Sequence, residues 1–236
     1  MNILLTNDDG FNSEGINVLK SLLEKHGTVV IIAPDKHRSG ASSSLSITDP
    51  IKVEKVEDKV FKCNGTPVDC VSFGLSSLNV KFDLVVSGCN DGYNISYDTN
   101  YSGTVGAALE ALVYHVPSIA VSTCRGSDFR EIKQYFDQVF DYINRHNLLS
   151  KEYILNINFP FDEVKEISIG KLYYRNDENF FTKKQDGYYA YRKMDDEFSD
   201  KDTDCYQINH GIISIVPLGK TLYNDSIREE LLKKIK

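Results

Sequence analysis

An α/β fold with a doubly wound, mainly parallel sheet flanked by helices is predicted by three observations. First, short apolar runs recur at residues 3–5, 28–34, 83–88, 117–123 and 153–159. Continuous runs of this length, rich in β-branched residues, suit parallel strands buried on both faces. Second, segments with apolar residues at helical spacing lie between most of them. Third, the runs end in Asn, Asp, Ser and Gly, as strands do where they enter loops.

The first strand is Ile3-Leu4-Leu5, broken by Thr6-Asn7-Asp8-Asp9-Gly10. Residues 13–26 place Ile16, Leu19, Leu22 and Leu23 at helical spacing, and Gly27 closes the helix. The run 28–34 completes a βαβ unit. Residues 51–56 and 60–63 read as a hairpin or edge strands. Thr66 and Pro67 open a helix over 68–78, with Pro at its first position. The run 83–88 is a third core strand, and 89–102 reads as a long polar loop. Residues 103–116 form a helix rich in small residues, and Gly106-Ala107-Ala108 suggests close helix–sheet packing. After the strand at 117–123, residues 129–149 carry Ile132, Phe136, Val139, Phe140 and Ile143 on one helical stripe. Beyond the strand at 153–159 the pattern changes. Residues 166–206 hold strand-like pieces, many tyrosines and few aliphatics, with Asp186-Gly187 as a hairpin signal. A buried strand returns at 211–218, and a basic helix covers 226–235. One domain over residues 1–236 is expected, with a core at 1–160 that holds the active site. Residues 161–236 are then an extension of hairpin, returning core strand and terminal helix, poor enough in aliphatics to pack on a second subunit.

The chain has 236 residues, 41% hydrophobic and 26% charged, which is ordinary for a soluble globular protein. Its net charge of −7 argues against a nucleic-acid duplex as the main partner, since such binders carry a basic surface. No run approaches the ~20 apolar residues of a membrane span, and the N-terminus lacks the pattern of a signal peptide. The five cysteines, 63, 70, 89, 124 and 205, are odd in number and without zinc-site spacing. Free thiols and a cytoplasmic location are expected.

In an open α/β sheet, ligands sit outside the carboxyl ends of the strands. Three of these ends carry unusual loops: Asp8-Asp9, then Ser39-Gly40 in a Ser-rich run, then Asn90 with Asn94 and Ser102-Gly103-Thr104. Adjacent carboxylates repel unless a cation or a proton separates them. With neutral oxygen donors they suit a hard divalent ion. Ser102-Gly103-Thr104 opens a helix and presents N–H groups to an anion. A cation beside an anion pocket, without a P-loop, suggests phosphate ester hydrolysis. Each element also has a plain alternative: an exposed Asn-Asp-Asp-Gly turn, a solvated serine loop, a helix cap. His37 is a weak ligand candidate in so oxygen-rich a setting. The convergence of three loops favours a site.

The stretches 2–10, 33–42 (APDKHRSGAS), 65–71 (GTPVDCV), 86–94 (VSGCNDGYN) and 101–108 (YSGTVGAA) resemble the SurE, or stationary-phase survival, family of nucleotidases. Weaker echoes follow at 154–160, Thr203-Asp204 and 211–218. The resemblance implies a Rossmann-like core and a metal-dependent phosphatase of nucleoside monophosphates, with short polyphosphate as a further substrate. It implies one divalent ion per subunit (Mg, Mn or Co) on Asp8, Asp9, Ser39 and Asn90, with Asp8 and Asp9 catalytic. Asn94, Ser102, Gly103 and Thr104 then surround the substrate phosphate. It also implies a homodimer or homotetramer in which the C-terminal segment is exchanged. Cys89 and Asp91-Gly92-Tyr93 depart from the family pattern, and residues 173–198 have no firm counterpart in it. The alternative from another class is a Mg-binding receiver-like signalling module. Such a module needs an acceptor aspartate after a middle strand and ends near residue 125; this chain has Cys89-Asn90 there and continues.

Overall fold

The computed structural model describes residues 1–161, 163–174, 178–193, 198–219 and 225–234. At the centre of the sheet lies β1 (Asn2–Thr6), which is apolar on both sides. Ile3 and Leu5 face one helical layer and Leu4 the other, as a period of two requires. β2 (Thr28–Pro34) pairs with it in parallel on one side, and β5 (Leu84–Asp91) on the other. Outside β2 come β4 (Val60–Cys63), in parallel, and β3 (Val53–Glu57), antiparallel to β4. Outside β5 come β6 (Ser118–Thr123) and β7 (Tyr153–Phe159), both parallel. β11 (Ile212–Gly219) then pairs antiparallel with β7, and β8 (Glu166–Ile169) closes the edge. The order is β3-β4-β2-β1-β5-β6-β7-β11-β8 among the described residues.

α1 (Glu14–Leu23) and α4 (Arg130–Arg145) cover one face, with Ile16, Leu19, Phe136 and Phe140 in a common core. α2 (Pro67–Ser77) and α3 (Gly103–Val113) cover the other. The predicted doubly wound sheet is therefore present. The chain leaves β1 for β2 on one side and reaches β5 on the other. That reversal opens a crevice at the carboxyl ends of β1 and β5, the place where such sheets bind ligands.

Several predicted elements differ from those observed. Residues 89–102 are not all loop. β5 runs on to Asp91, and its pairing with β6 shifts register between Ser87 and Asn90. A 3₁₀ turn then spans Ser96–Asn100, closed by Thr99 Oγ1 donating to the Ser96 carbonyl at 2.7 Å. α3 ends at Val113, and left-handed His115 turns the chain toward β6. α4 covers Arg130–Arg145 only, because Phe129 and Asn147 at its flanks are left-handed. The stretch 166–206 contains, besides strands, the start of α5 (Asp204–Asn209), capped by Thr203. Gly106 does not pack on the sheet: a Cβ there would come within 2.6 Å of the Ser42 carbonyl oxygen, so it admits the Ser-rich loop.

The last third splits in two. Ile213, Ile215 and Val216 of β11 are buried in the chain's own sheet, and Cys205 and Ile208 of α5 pack with Ile95. The hairpin of β9 (Glu178–Lys184) and β10 (Gly187–Lys193) forms a sheet of its own around Asp186-Gly187. Its Phe180, Phe181, Tyr188, Tyr189 and Tyr191 are exposed. α6 (Asp225–Lys234) ends the described chain; Ile235 of the predicted helix lies outside the described residues.

Candidate active site

The carboxyl end of β1 delivers Asp8 into the crevice, and the loop around it is built by its neighbours. Asn7 Nδ2 donates to the Gly10 carbonyl at 3.1 Å and to Ser13 Oγ at 2.7 Å, and Asn7 Oδ1 accepts from Gly10 N at 3.1 Å. Asp8 is 4% exposed. Its Oδ1 accepts from Thr104 Oγ1 at 2.8 Å, across 96 residues of sequence. Gly103 lies against the same carboxylate: a Cβ there would stand 3.1 Å from Asp8 Oδ2 and 3.3 Å from Pro67 Cγ. Burial pushes the Asp8 carboxyl up to about 6; the Thr104 bond opposes this and the charge of Asp9 adds to it.

Asp9 is more open and pairs with His37, with Nδ1 at 3.0 Å from Oδ1. The second loop is drawn in by its backbone, where Arg38 N donates to the Asp8 carbonyl at 2.7 Å. Ser39 follows directly, exposed, in a turn completed by left-handed Gly40. On β5, Asn90 Nδ2 donates to the Gly92 carbonyl at 2.7 Å, which leaves the amide oxygen as the group a cation would take. Cys89 before it is buried; burial pushes its thiol up, and the charges of Asp9 and Asp91 push the same way.

The start of α3 closes the crevice. Ser102 Oγ accepts from Val105 N at 3.1 Å, so its hydroxyl serves as the helix cap. Gly103 and Thr104 are the first two helical residues, and their N–H groups have no intrahelical acceptor. Asn94 is buried deeper toward β6 and β7, where its Nδ2 donates to Ser122 Oγ at 2.8 Å. Of the predicted residues, Asp8, Gly103 and Thr104 are thus in direct contact. Asp9 follows Asp8 directly, Ser39 follows Arg38 whose N–H is bonded to the Asp8 carbonyl, Asn90 lies toward the end of β5 beside β1, Ser102 caps α3, and the Asn94 side chain turns to Ser122.

Sequence reasoning missed Asp69. Its Oδ1 accepts from Ser46 N at 3.0 Å, and its Oδ2 accepts from Ser46 Oγ at 2.6 Å and Thr66 N at 2.8 Å. Burial alone would raise this carboxyl, but these bonds overcome it and hold it below the usual range. Thr66 Oγ1 adds a bond to the Ser44 carbonyl at 2.7 Å. The capping box of α2 is therefore also the anchor of the Ser-rich loop. The Thr66-x-x-Asp69 spacing signals the cap; nothing local signals the contact with Ser46.

A family model described as Survival protein SurE matches residues 3–179. The chain belongs to the SurE family. It is 38% identical over 231 residues to the 5′-nucleotidase SurE of Haemophilus influenzae, covering 94% of this chain and 92% of the relative. It is 36% identical over 234 residues to the 5′-nucleotidase SurE of Clostridium botulinum strain Alaska E43, covering 92% and 93%. The crystal structure of the SurE protein from Aquifex aeolicus superposes with a TM-score of 0.88 at 31% identity, covering 100% of both chains. Membership in the SurE family removes the receiver-like alternative, and β7 and β11 carry the sheet well past residue 125.

The chemistry of the donor set fits a hard cation. Among the described residues, no three His, Cys, Asp or Glu side chains are grouped to hold a metal ion. The two carboxylates Asp8 and Asp9, the Ser39 hydroxyl and the Asn90 amide oxygen are all oxygen donors, the kind that Mg²⁺ or Mn²⁺ takes. The buried Asp8 carboxylate, raised by desolvation and by Asp9, is the anionic strain that such an ion relieves. No helix among the described residues is long and apolar enough to cross a membrane.

Proposed function

We propose that the chain is a divalent-metal-dependent phosphomonoesterase that hydrolyses nucleoside 5′- or 3′-monophosphates, with short polyphosphate as a further substrate. The observation that carries the reading is Asp8, a desolvated carboxylate held by Thr104 at the first turn of α3 and flanked by Asp9. The relatives named 5′-nucleotidase SurE support the choice of nucleotide.

In this reading Asp8, Asp9, Ser39 and Asn90 hold one Mg²⁺, Mn²⁺ or Co²⁺ ion per subunit. When bound, the ion supplies Lewis acidity toward water and toward the phosphoryl oxygens. The Gly103 and Thr104 amides and the helix start bind the phosphate, and Asn94 orients the loop beside it. They lie where negative charge spreads over the equatorial oxygens. Asp9, the more accessible acid, takes the proton of the attacking water, and His37 beside it supports that carboxylate. Asp8 is held by Thr104 and acts as ligand. The five free thiols fit a reducing cytoplasm.

A phosphate-release screen over nucleoside monophosphates, polyphosphate and p-nitrophenyl phosphate, with each metal in turn and with EDTA, tests the reading. Turnover of nucleoside monophosphates should appear with metal and vanish with EDTA. Activity on phosphodiesters or carboxylate esters alone, or full turnover in EDTA, would defeat it.

We also read the β9–β10 hairpin as a subunit contact of a homodimer or homotetramer, with exchange of the C-terminal segment. The hairpin exposes aromatic side chains on both faces, Phe180, Tyr189 and Tyr191 on one and Phe181 and Tyr188 on the other, and exposed apolar surface of this kind marks an interaction site. Sedimentation should give a dimer or larger, and replacing Phe181 and Tyr188 by Ser should shift it toward monomer. A wild-type chain that sediments as a monomer at all concentrations would overturn the assignment.

A further inference from the structure

We propose that Asn158 and Asp204 are positioning residues for turnover, clamping from two flanks the loop that leads into the start of α3; the inference rests on the phosphate-binding role given above to Gly103 and Thr104.

The loop leaves β5 at Asp91 and must deliver Ser102 to the start of α3. Its own sequence, with Gly92 and polar residues, does not fix one path. Asn158 on β7 supplies what a neighbouring strand would. Its Oδ1 accepts from Asn94 N at 2.9 Å, and its Nδ2 donates to the Asn94 carbonyl at 3.0 Å. Asn156 Nδ2 donates to the same carbonyl at 2.7 Å. All three asparagines are buried. Leu155, Ile157 and Phe159 face the α4 layer, so alternation along β7 places both amides on the loop side.

The second flank comes from the end of the chain. Asp204, at the first position of α5, is fully buried. Its Oδ2 accepts from Ser96 N at 2.7 Å, while Oδ1 accepts from Tyr173 N at 2.9 Å and Cys205 N at 2.8 Å. Ser96 has φ +51, a left-handed conformation that a non-glycine residue keeps only when its surroundings enforce it. Ser96 opens the 3₁₀ turn that leads to Tyr101 and Ser102. A carboxylate bonded to that N–H is a strong, charge-assisted restraint. The loop is therefore fixed on one side by a neutral amide pair and on the other by a buried charge. Among the described residues, neither Asn158 nor Asp204 makes a hydrogen bond to Asp8, Asp9 or the start of α3.

The test uses Asn158→Asp and Asp204→Asn in the full-length chain. The first keeps an acceptor for Asn94 N but sets an oxygen against the Asn94 carbonyl. The second sets an amide N–H₂ against backbone donors. Folding is read by circular dichroism, metal binding by Mn²⁺ calorimetry, phosphate binding by calorimetry with inorganic phosphate, and turnover on nucleoside monophosphates. Both variants should bind Mn²⁺ like the wild type, bind phosphate more weakly, and lose on the order of 100-fold in kcat, the scale of a 1 Å misplacement. Unchanged phosphate binding and kcat in a folded variant would overturn the clamp, as would equal loss of metal and phosphate binding. If Asn158→Asp does not fold, Asp204→Asn decides alone, since it acts from the opposite flank. A wild-type protein that binds phosphate but turns over no monophosphate would refute the nucleotidase reading and leave the clamp to the phosphate-binding comparison.

Discussion

Asp8→Asn should nearly abolish phosphate release and yet raise the melting temperature of the metal-free protein at neutral pH. The folded Asp8 titrates at about 6 against 3.8 for a free carboxyl, a difference of about 3 kcal/mol. The sign follows from linkage. Below 3.8 the group is protonated in both states and costs nothing. Between 3.8 and 6 the unfolded chain ionises while the folded one keeps its proton, so stability falls as pH rises; above 6 the whole penalty is present. Asparagine removes that penalty, and its oxygen can still accept from Thr104. For a chain of this size ~3 kcal/mol corresponds to roughly 6–12 °C. In EDTA at pH 7 the variant should melt higher than the wild type by that order, and the gap should close near pH 4. Activity with Mg²⁺ or Mn²⁺ should fall by orders of magnitude, because one charged ligand of a small set is lost. A variant melting at or below the wild type in EDTA at pH 7, or one retaining activity, would count against the account of Asp8. Stability and activity are thus opposed at this residue.

Gly15→Ala should be damaging although it lies on a helix and outside the crevice. By propensity alone, alanine in a helix gains about 1 kcal/mol over glycine. Packing reverses the sign. A Cβ at Gly15 would stand 2.1 Å from the Cys89 carbonyl oxygen and 3.1 Å from Phe129 Cε1. The first obstacle is backbone, so α1 or the end of β5 must move. Overpacking of this kind costs about 1–3 kcal/mol. Because Asn90 follows Cys89 directly, the displacement should also reach the proposed ligand Asn90, lowering kcat by on the order of 100-fold. Gly219→Ala, with nothing within 4 Å of the added Cβ, is the control. Equal melting temperatures and equal turnover in the two variants would refute the argument.

The parts of the site legible in the sequence are those where a strand ends in its own loop. Asp8-Asp9 follows an apolar run at once, and Ser102-Gly103-Thr104 announces a helix start, so both could be placed at the crevice from local pattern. The parts that were not legible depend on distant partners. Asp69 reads as one acid in a capped helix, and its hold on Ser46 is visible only in three dimensions. Asn156 and Asn158 interrupt the apolar strand Tyr153–Phe159, and their partner Asn94 lies more than sixty residues earlier. Asp204 sits among polar residues that read as strand-like pieces, because α5 is only six residues long and packs chiefly through Cys205 and Ile208. Gly15 looks like a weak point in a helix until the carbonyl of Cys89 is seen against it.

The double bracing of the Asn94–Ser102 loop also orders events during synthesis. A ribosome makes Asp8 and Asp9 first, but Asn158 and then Asp204 emerge far later. At about 5–20 residues per second, the roughly 200 residues between the first ligand and the last brace take about 10–40 s. For the second half of that interval a nascent chain has both its acidic pair and the loop that faces it but not yet both braces, and the antiparallel place beside β7 stays vacant until β11 is translated. On the proposed bracing, catalytic competence arrives with the last fifth of the chain. A truncated product ending at residue 179, where the family match stops, would hold every proposed ligand and lack Asp204 and β11.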